Sequence, residues 1–272
     1  MLTQRLVTAL LLIPLALAVM LLPPTWLFGG ILGLVFLIAD WEWTRLCGLR
    51  GAIPRLLWLA AMLALLVLMV YLQPRAWTWT LGIAVGVAWW LASLWWLARY
   101  SFAASPTPEN RLLKLILGLF VFVPAWLALV ALHGQERGLW VLLAVVVVWV
   151  ADTGAYICGR LFGKRKLAPR ISPGKTWAGV YGALVLGALA CVLGGWLLDL
   201  RHPHQMLRML VLGLATVAAA VLGDLIESLL KRQAETKDSG TLFPGHGGML
   251  DRLDSVFAAL PVFFIGKLLL GL

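Results

Sequence analysis

Nine apolar runs, each about as long as a bilayer is thick, recur along this chain, at roughly residues 6–22, 25–39, 56–72, 78–98, 112–132, 138–158, 176–198, 206–227 and 255–272. A transmembrane helix needs about 20 mostly apolar residues. The pattern therefore predicts an all-α, polytopic integral membrane protein with about nine transmembrane helices. Composition agrees, since only 12% of the 272 residues are Asp, Glu, Lys or Arg, against about 25% in an average soluble domain. A soluble enzyme, a disordered tail and a secreted disulfide scaffold are excluded. The first run passes into Pro23-Pro24-Thr25-Trp26 without a small-residue cleavage site and is read as a helix, not a signal peptide. The second is interrupted by Asp40, Glu42 and Arg45, which leaves open an interfacial helix around Trp41 and Trp43.

The net charge of +10 reports orientation before it reports a nucleic-acid partner, because cytoplasmic loops collect Lys and Arg. With the N-terminus inside, the inner segments hold Arg5, then Arg45, Arg50 and Arg55, then Arg99, Arg111 and Lys114. Arg160, Lys164, Arg165, Lys166, Arg170 and Lys175 follow, and finally Lys231, Arg232, Lys237 and Arg252, making 17 of the 22 basic residues. The expectation is a cytoplasmic N-terminus, membrane lipids as neighbours and no nucleic acid. Gly29/Gly33, Gly82/Gly86 and Gly159/Gly163 have the spacing that lets helices approach closely. Cys47, Cys158 and Cys191 form no CxxC and read as packed thiols. Many of the 15 tryptophans, Trp26, Trp43, Trp77 and Trp95 among them, fall near span ends, as in an interfacial belt.

The acids divide the chain. Residues 1–138 carry four thinly spread carboxylates, whereas six of the twelve lie within residues 224–254. Residues 1–138 are thus expected to be scaffold helices with any oligomer contacts, and residues 139–272 the catalytic region with two cytoplasmic loops. Asp224 and Glu227 share one helix face, and Asp251 and Asp254 repeat that spacing at the start of the next helix. Four carboxylates so placed can hold a hard cation such as Mg²⁺ through oxygen. Alternatively, they pair with Lys231, Arg232, Lys237 and Arg252 in a structural network. Between them, Gly245-His246-Gly247-Gly248 lets backbone amides approach an anion closely, with His246 as phosphate ligand, orienting group, acid or structural hydrogen-bonding residue. Ser172-Pro173-Gly174-Lys175-Thr176 offers a helix N-cap, a proline at the first helical position and a lysine at the positive helix end, an arrangement that would grip a phosphate. It is not a P-loop, because position 169 is Pro. Asp152, inside the sixth run, is read as a cavity wall, cation ligand or proton site, or as a hydrogen-bonding partner within the bundle. A site for a phosphate-rich lipid headgroup and a metal ion is the common denominator.

Ser228, Leu230-Lys231-Arg232, Lys237-Asp238, Gly240, Phe243-Pro244, His246-Gly247-Gly248-Met249 and Asp251-Arg252-Leu253-Asp254 together resemble the signature of the phosphatidate cytidylyltransferase (CDP-diacylglycerol synthase) family. The upstream Ala151-Asp152-Thr153-Gly154-Ala155-Tyr156 and Ser172-Pro173-Gly174-Lys175-Thr176-Trp177 look like the same family, with Ala178 where many members have Glu. The resemblance covers residues 145–270. It implies conversion of CTP and phosphatidic acid to CDP-diacylglycerol and pyrophosphate at the cytoplasmic face of a bacterial-type inner membrane, in a homodimer. It implies Mg²⁺ on Asp224, Asp251 and Asp254, with K⁺ as a second cation. Catalytic roles fall to Asp224, Asp251, Lys231, Arg232, Lys237 and His246, and substrate binding to Lys175, Ser172, Arg252, Asp152, Gly247 and Gly248. The alternatives are a CTP-dependent kinase of a polyprenol or similar lipid alcohol and, from another class, a cation-coupled transporter using Asp152 and Asp224.

Overall fold

The computed structural model of the chain describes residues 13–73, 76–243 and 247–272. Helix α1 occupies residues 13–21 of this range. It is followed by α2 (Thr25–Leu46), α3 (Ala52–Tyr71), α4 (Ala76–Ala98), α5 (Pro108–His133) and α6 (Leu139–Phe162). A short antiparallel hairpin, β1 (Lys166–Ala168) and β2 (Ser172–Thr176), precedes α7 (Trp177–Leu197), α8 (Pro203–Gln233) and α9 (Leu250–Leu270). Among the described residues eight helices, α2 to α9, are long and apolar enough to cross a bilayer. Helices are the expected solution for such runs, since lipid offers no partner for backbone N–H and C=O groups. The fold is that of an all-α, polytopic integral membrane protein. The start of the first apolar run lies outside the described residues.

Loop contacts sort the helix ends. At one end Arg45 Nη2, after α2, donates to Ser239 O (2.6 Å), and Gln233 Nε2, closing α8, donates to Tyr100 O (2.9 Å) in the α4–α5 loop. Arg232 Nε donates to Ile171 O (3.1 Å) in the hairpin. At the other end Thr25 Oγ1 lies 3.0 Å from His133 Nδ1, and Lys267 Nζ donates to Gln135 Oε1 (2.9 Å). The helices therefore alternate in direction, and the four loops that carry most of the basic residues meet at one end. Helix α8, with 31 residues, is about 46 Å long at 1.5 Å per residue, against about 30 Å of hydrocarbon. Its last turns, with Lys231 and Arg232, therefore project towards that loop-rich end.

Helices α2–α5 form a first sub-bundle and α6–α9 a second, and the two are joined through α5 and α9. Phe36 on α2 and Phe122 on α5 both meet the ring of Phe257 on α9 edge-on, at centroid distances of 4.9 Å, a preferred aromatic geometry. Small residues draw α6 and α7 together, since a side chain on Gly154 would strike the carbonyl of Gly182. Gly159 likewise faces Thr176, and Gly86 on α4 faces the ring of Pro124 on α5, so these glycine spacings do mark close helix contacts. All three cysteines are free thiols, Cys47 and Cys191 buried.

Two expectations are corrected. Helix α2 runs unbroken through Asp40, Glu42 and Arg45, and Trp43 is buried with its Nε1 donating to Lys114 O (3.0 Å). There is no interfacial helix around Trp41 and Trp43, and Trp43 belongs to the core and not to an aromatic belt. Ser172 does not cap a helix. Residues 172–176 are extended as β2, and α7 starts at Trp177 with Thr176 as its cap, the Thr176 hydroxyl accepting from Gly179 N (3.2 Å). Pairing of Lys166 with Thr176 and of Ala168 with Ser172, with a shift of register between them, keeps the segment out of the helix.

Candidate active site

Asp224 and Glu227 lie one turn apart on α8, and Asp254 sits in the second turn of α9. A side chain on Gly223 would collide with the carbonyl of Asp254, so the two helices cross almost backbone to backbone there. One carboxylate oxygen from each of Asp224, Glu227 and Asp254 falls within 4.8 Å of the others. Three carboxylates this close repel one another unless a cation or proton lies between them. Glu227 is 3% exposed; its Oε2 accepts from Lys231 Nζ (2.6 Å), while its buried Oε1 has no donor among the described residues. An orphaned buried carboxylate oxygen facing two further acids fits a hard-cation site.

Asp251 does not join this group. Its Oδ1 accepts from Lys231 Nζ (2.7 Å), and its Oδ2 accepts from Ser239 N (2.9 Å) and Gly248 N (2.8 Å). Ser239 Oγ lies 2.8 Å from the same oxygen. Asp251 is thus filled with donors and acts as the knot of the α8–α9 loop, while Glu227 takes the place in the acid group that the sequence reading gave it. The spacing of the residues placed all four acids near one site but could not distinguish which carboxylates face inward, because that depends on the path of the loop.

Lys175 reaches from β2 to Asp224 Oδ2 (2.5 Å). Beside this ion pair a cavity of about 320 Å³ opens between α6, α7 and α8. It is lined by Asp152, Arg160, Lys175, Thr176, Asp224 and Ser255 and by small apolar side chains such as Ala183 and Ala220. Asp152 is exposed to it, one helix away from the acid group. Arg160 Nη1 donates to Tyr156 Oη (3.1 Å). Of the remaining candidates, Ser172 pairs with Ala168 in the hairpin, and Lys237 and Arg252 are exposed at the loop and at the start of α9. Arg232 is exposed with its Nε on Ile171 O. Gly248 has its N–H committed to Asp251, and Gly247 turns the chain with φ of +81°. His246 lies outside the described residues.

The sequence reading missed a third group of contacts. Glu42 of α2, 7% exposed, directs its carboxylate at the start of α9, where Oε2 accepts from Leu250 N (2.8 Å) and Oε1 from Met249 N (3.1 Å). Ser239 Oγ lies 2.9 Å from Glu42 Oε2, so its single proton is shared between Glu42 and Asp251. Arg45 holds the same strand of loop through the carbonyls of Asp238 and Ser239. The available signal was the presence of ionisable residues inside an apolar run, which are costly there and mark a function by default.

A model of the cytidylyltransferase family matches residues 3–269. The chain belongs to this family. It is 41% identical over 269 residues to the phosphatidate cytidylyltransferase of Pseudomonas aeruginosa, covering 97% of this chain and 96% of that one. It is 36% identical over 283 residues to the enzyme of the same name from Haemophilus influenzae, covering 97% of each. The Staphylococcus epidermidis enzyme of that name is 43% identical over 132 residues, which is 48% of this chain and 50% of the relative. Family membership spans both sub-bundles, including the part of the chain before residue 145, which the motif resemblance did not cover.

Proposed function

We propose that the chain is a phosphatidate cytidylyltransferase of the bacterial inner membrane, joining CTP and phosphatidic acid into CDP-diacylglycerol and pyrophosphate at the cytoplasmic end of the bundle. The observation that carries the reading is the acid group beside Lys175 and the cavity, in a chain similar over nearly its whole length to enzymes of that name. Cytoplasmic placement is supported by the meeting of the basic loops at one end.

Asp224, Glu227 and Asp254 would hold Mg²⁺, which when bound neutralises the triphosphate and the leaving pyrophosphate. Three carboxylates outweigh one divalent ion, and in our reading K⁺ balances the remainder. The nucleophile is a phosphate already ionised near neutral pH, so no strong base is needed from the protein, and the obstacle is repulsion between two polyanions. Lys175 sits at the rim between the acid group and the cavity, where its ammonium can pass from Asp224 to a substrate phosphate. Arg160 at the same wall is placed to receive the lipid phosphate, with small apolar residues below it for the glycerol end of the lipid. Lys231 holds Glu227 and Asp251 in place and is a positioning group in this account.

The test is product identification with purified protein, labelled CTP, phosphatidic acid and Mg²⁺. CDP-lipid and pyrophosphate are expected. CDP together with a newly phosphorylated lipid alcohol would replace the reading with a kinase, and ion-coupled transport without nucleotide turnover would replace it with a transporter.

A further inference from the structure

Helix α2 meets the α8–α9 loop and the start of α9 through Glu42 and Arg45. An α-helix leaves its first N–H groups without intrahelical partners; in α9 the N-cap residue Met249 makes no side-chain capping bond, and Ser239 Oγ accepts from Asp251 N (3.3 Å). Glu42 supplies that cap from another helix, accepting from the N–H groups of both Met249 and Leu250. Gly240 and Gly248 leave the carboxylate its space, since a side chain on either would run into it. Gly240 and Gly248 are therefore explained by an acid far earlier in the chain, whereas Gly247 is set by its positive φ and by Asp251. Glu42 also shares the Ser239 proton with Asp251, and Arg45 fixes the carbonyls on either side of that serine's amide link. Asp254 stands four residues, one turn, after Leu250 on the helix so capped, and the crossing at Gly223 holds it against Asp224 and Glu227.

We propose that Glu42 is a positioning residue for the reaction. By capping α9 from α2, it fixes the distance between Asp254 and the two acids of α8, and hence the affinity of the group for a divalent cation. The inference rests on reading Asp224, Glu227 and Asp254 as a cation site. It gives the first sub-bundle a part in the chemistry beyond scaffolding.

The test is Mn²⁺ binding to detergent-solubilised full-length protein, followed by electron paramagnetic resonance without nucleotide, alongside the melting temperature. Partners that orient metal ligands typically contribute about 10–100-fold in affinity, so Glu42→Ala is expected to weaken Mn²⁺ by at least about tenfold. Glu42→Gln keeps one acceptor oxygen and should fall between wild type and Glu42→Ala. It also carries the test if the alanine variant does not fold. Phe28→Ala, at the far end of α2 where Phe28 stacks on His133, is the control, and should lower the melting temperature while leaving Mn²⁺ affinity unchanged. Wild-type affinity in both Glu42 variants would overturn the proposal. So would an equal loss of affinity in Phe28→Ala, which would reduce the role of Glu42 to general stability. Wild-type protein that binds Mn²⁺ but forms no CDP-lipid would instead sink the transferase reading and leave the positioning role intact.

Discussion

Replacing Asp251 by asparagine separates the loop-tying carboxylate from the three proposed to hold a cation. In the native arrangement Oδ1 faces the Lys231 ammonium at 2.7 Å and Oδ2 faces two backbone N–H groups at 2.8 and 2.9 Å. An asparagine can put its carbonyl oxygen on only one side. If the oxygen keeps the two amides, the NH₂ group points at Lys231 donor to donor, and Lys231 retains Glu227 alone. If it turns to Lys231, two N–H groups lose their acceptor. The first arrangement costs one charge-assisted hydrogen bond, about 1.5–3 kcal/mol, and weakens two others that no longer meet a charge. The total is about 3–5 kcal/mol, the range for breaking a buried ion pair. At 1.4 kcal/mol per decade the loop should open about 10²–10⁴ times more often. Hydrogen exchange at Ser239 and Gly248, measured by mass spectrometry in detergent, reads this directly. Asp254→Asn, by contrast, removes one of three mutually repelling carboxylates. It should abolish Mn²⁺ binding and turnover while leaving loop protection at or above the wild-type level. Asp251→Asn with wild-type protection at Ser239 and Gly248 but no Mn²⁺ binding would refute the argument and make Asp251 a ligand.

Further outcomes follow from the same geometry. Lys175→Met removes the ammonium beside Asp224; turnover should fall about 10²–10³-fold, the usual loss for one group that stabilises transition-state charge, with the melting temperature preserved. Gly248→Ala sets a methyl against the Glu42 carboxylate, so it should lower activity alone and add little to Glu42→Ala, a non-additivity that a double-mutant cycle detects. Burial pushes the Cys47 thiol well above its ordinary range. Less thiolate is then present at any given pH, so maleimide labelling of Cys47 should lag behind that of half-buried Cys158 and gain on it only at strongly alkaline pH.

The fold was largely legible because each helix is written in one run of apolar residues, a property of local sequence. Only the ends shifted, for instance where β-pairing of Lys166 with Thr176 overrode the apparent N-cap at Ser172. The acid group was half legible. Asp224 and Glu227 are related by helical spacing, and Asp251 and Asp254 likewise, but which of the four turn inward is decided by Ser239 and Gly248, whose N–H groups claim Asp251. Glu42 stood out locally only as an acid inside an apolar run; its partners could not be read from local pattern, because they are 207 and 208 residues away. In sequence it looked like a flaw in an apolar helix. Its compensation is visible only once α2 and α9 lie side by side.

That separation has a consequence for how the protein is made. At about 5–20 residues per second, the 208 residues between Glu42 and Leu250 take roughly 10–40 s to synthesise. Throughout that interval α2 has left the ribosome with its acid lacking the amides it will finally hold. Every other helix inserts before the partner arrives, and the last one completes the contact. A chain that stalls or is clipped before Met249 therefore keeps nearly the whole bundle but has neither the cap nor Asp254. In such a fragment Glu42 stays in α2 without the two N–H groups it accepts from in the complete bundle.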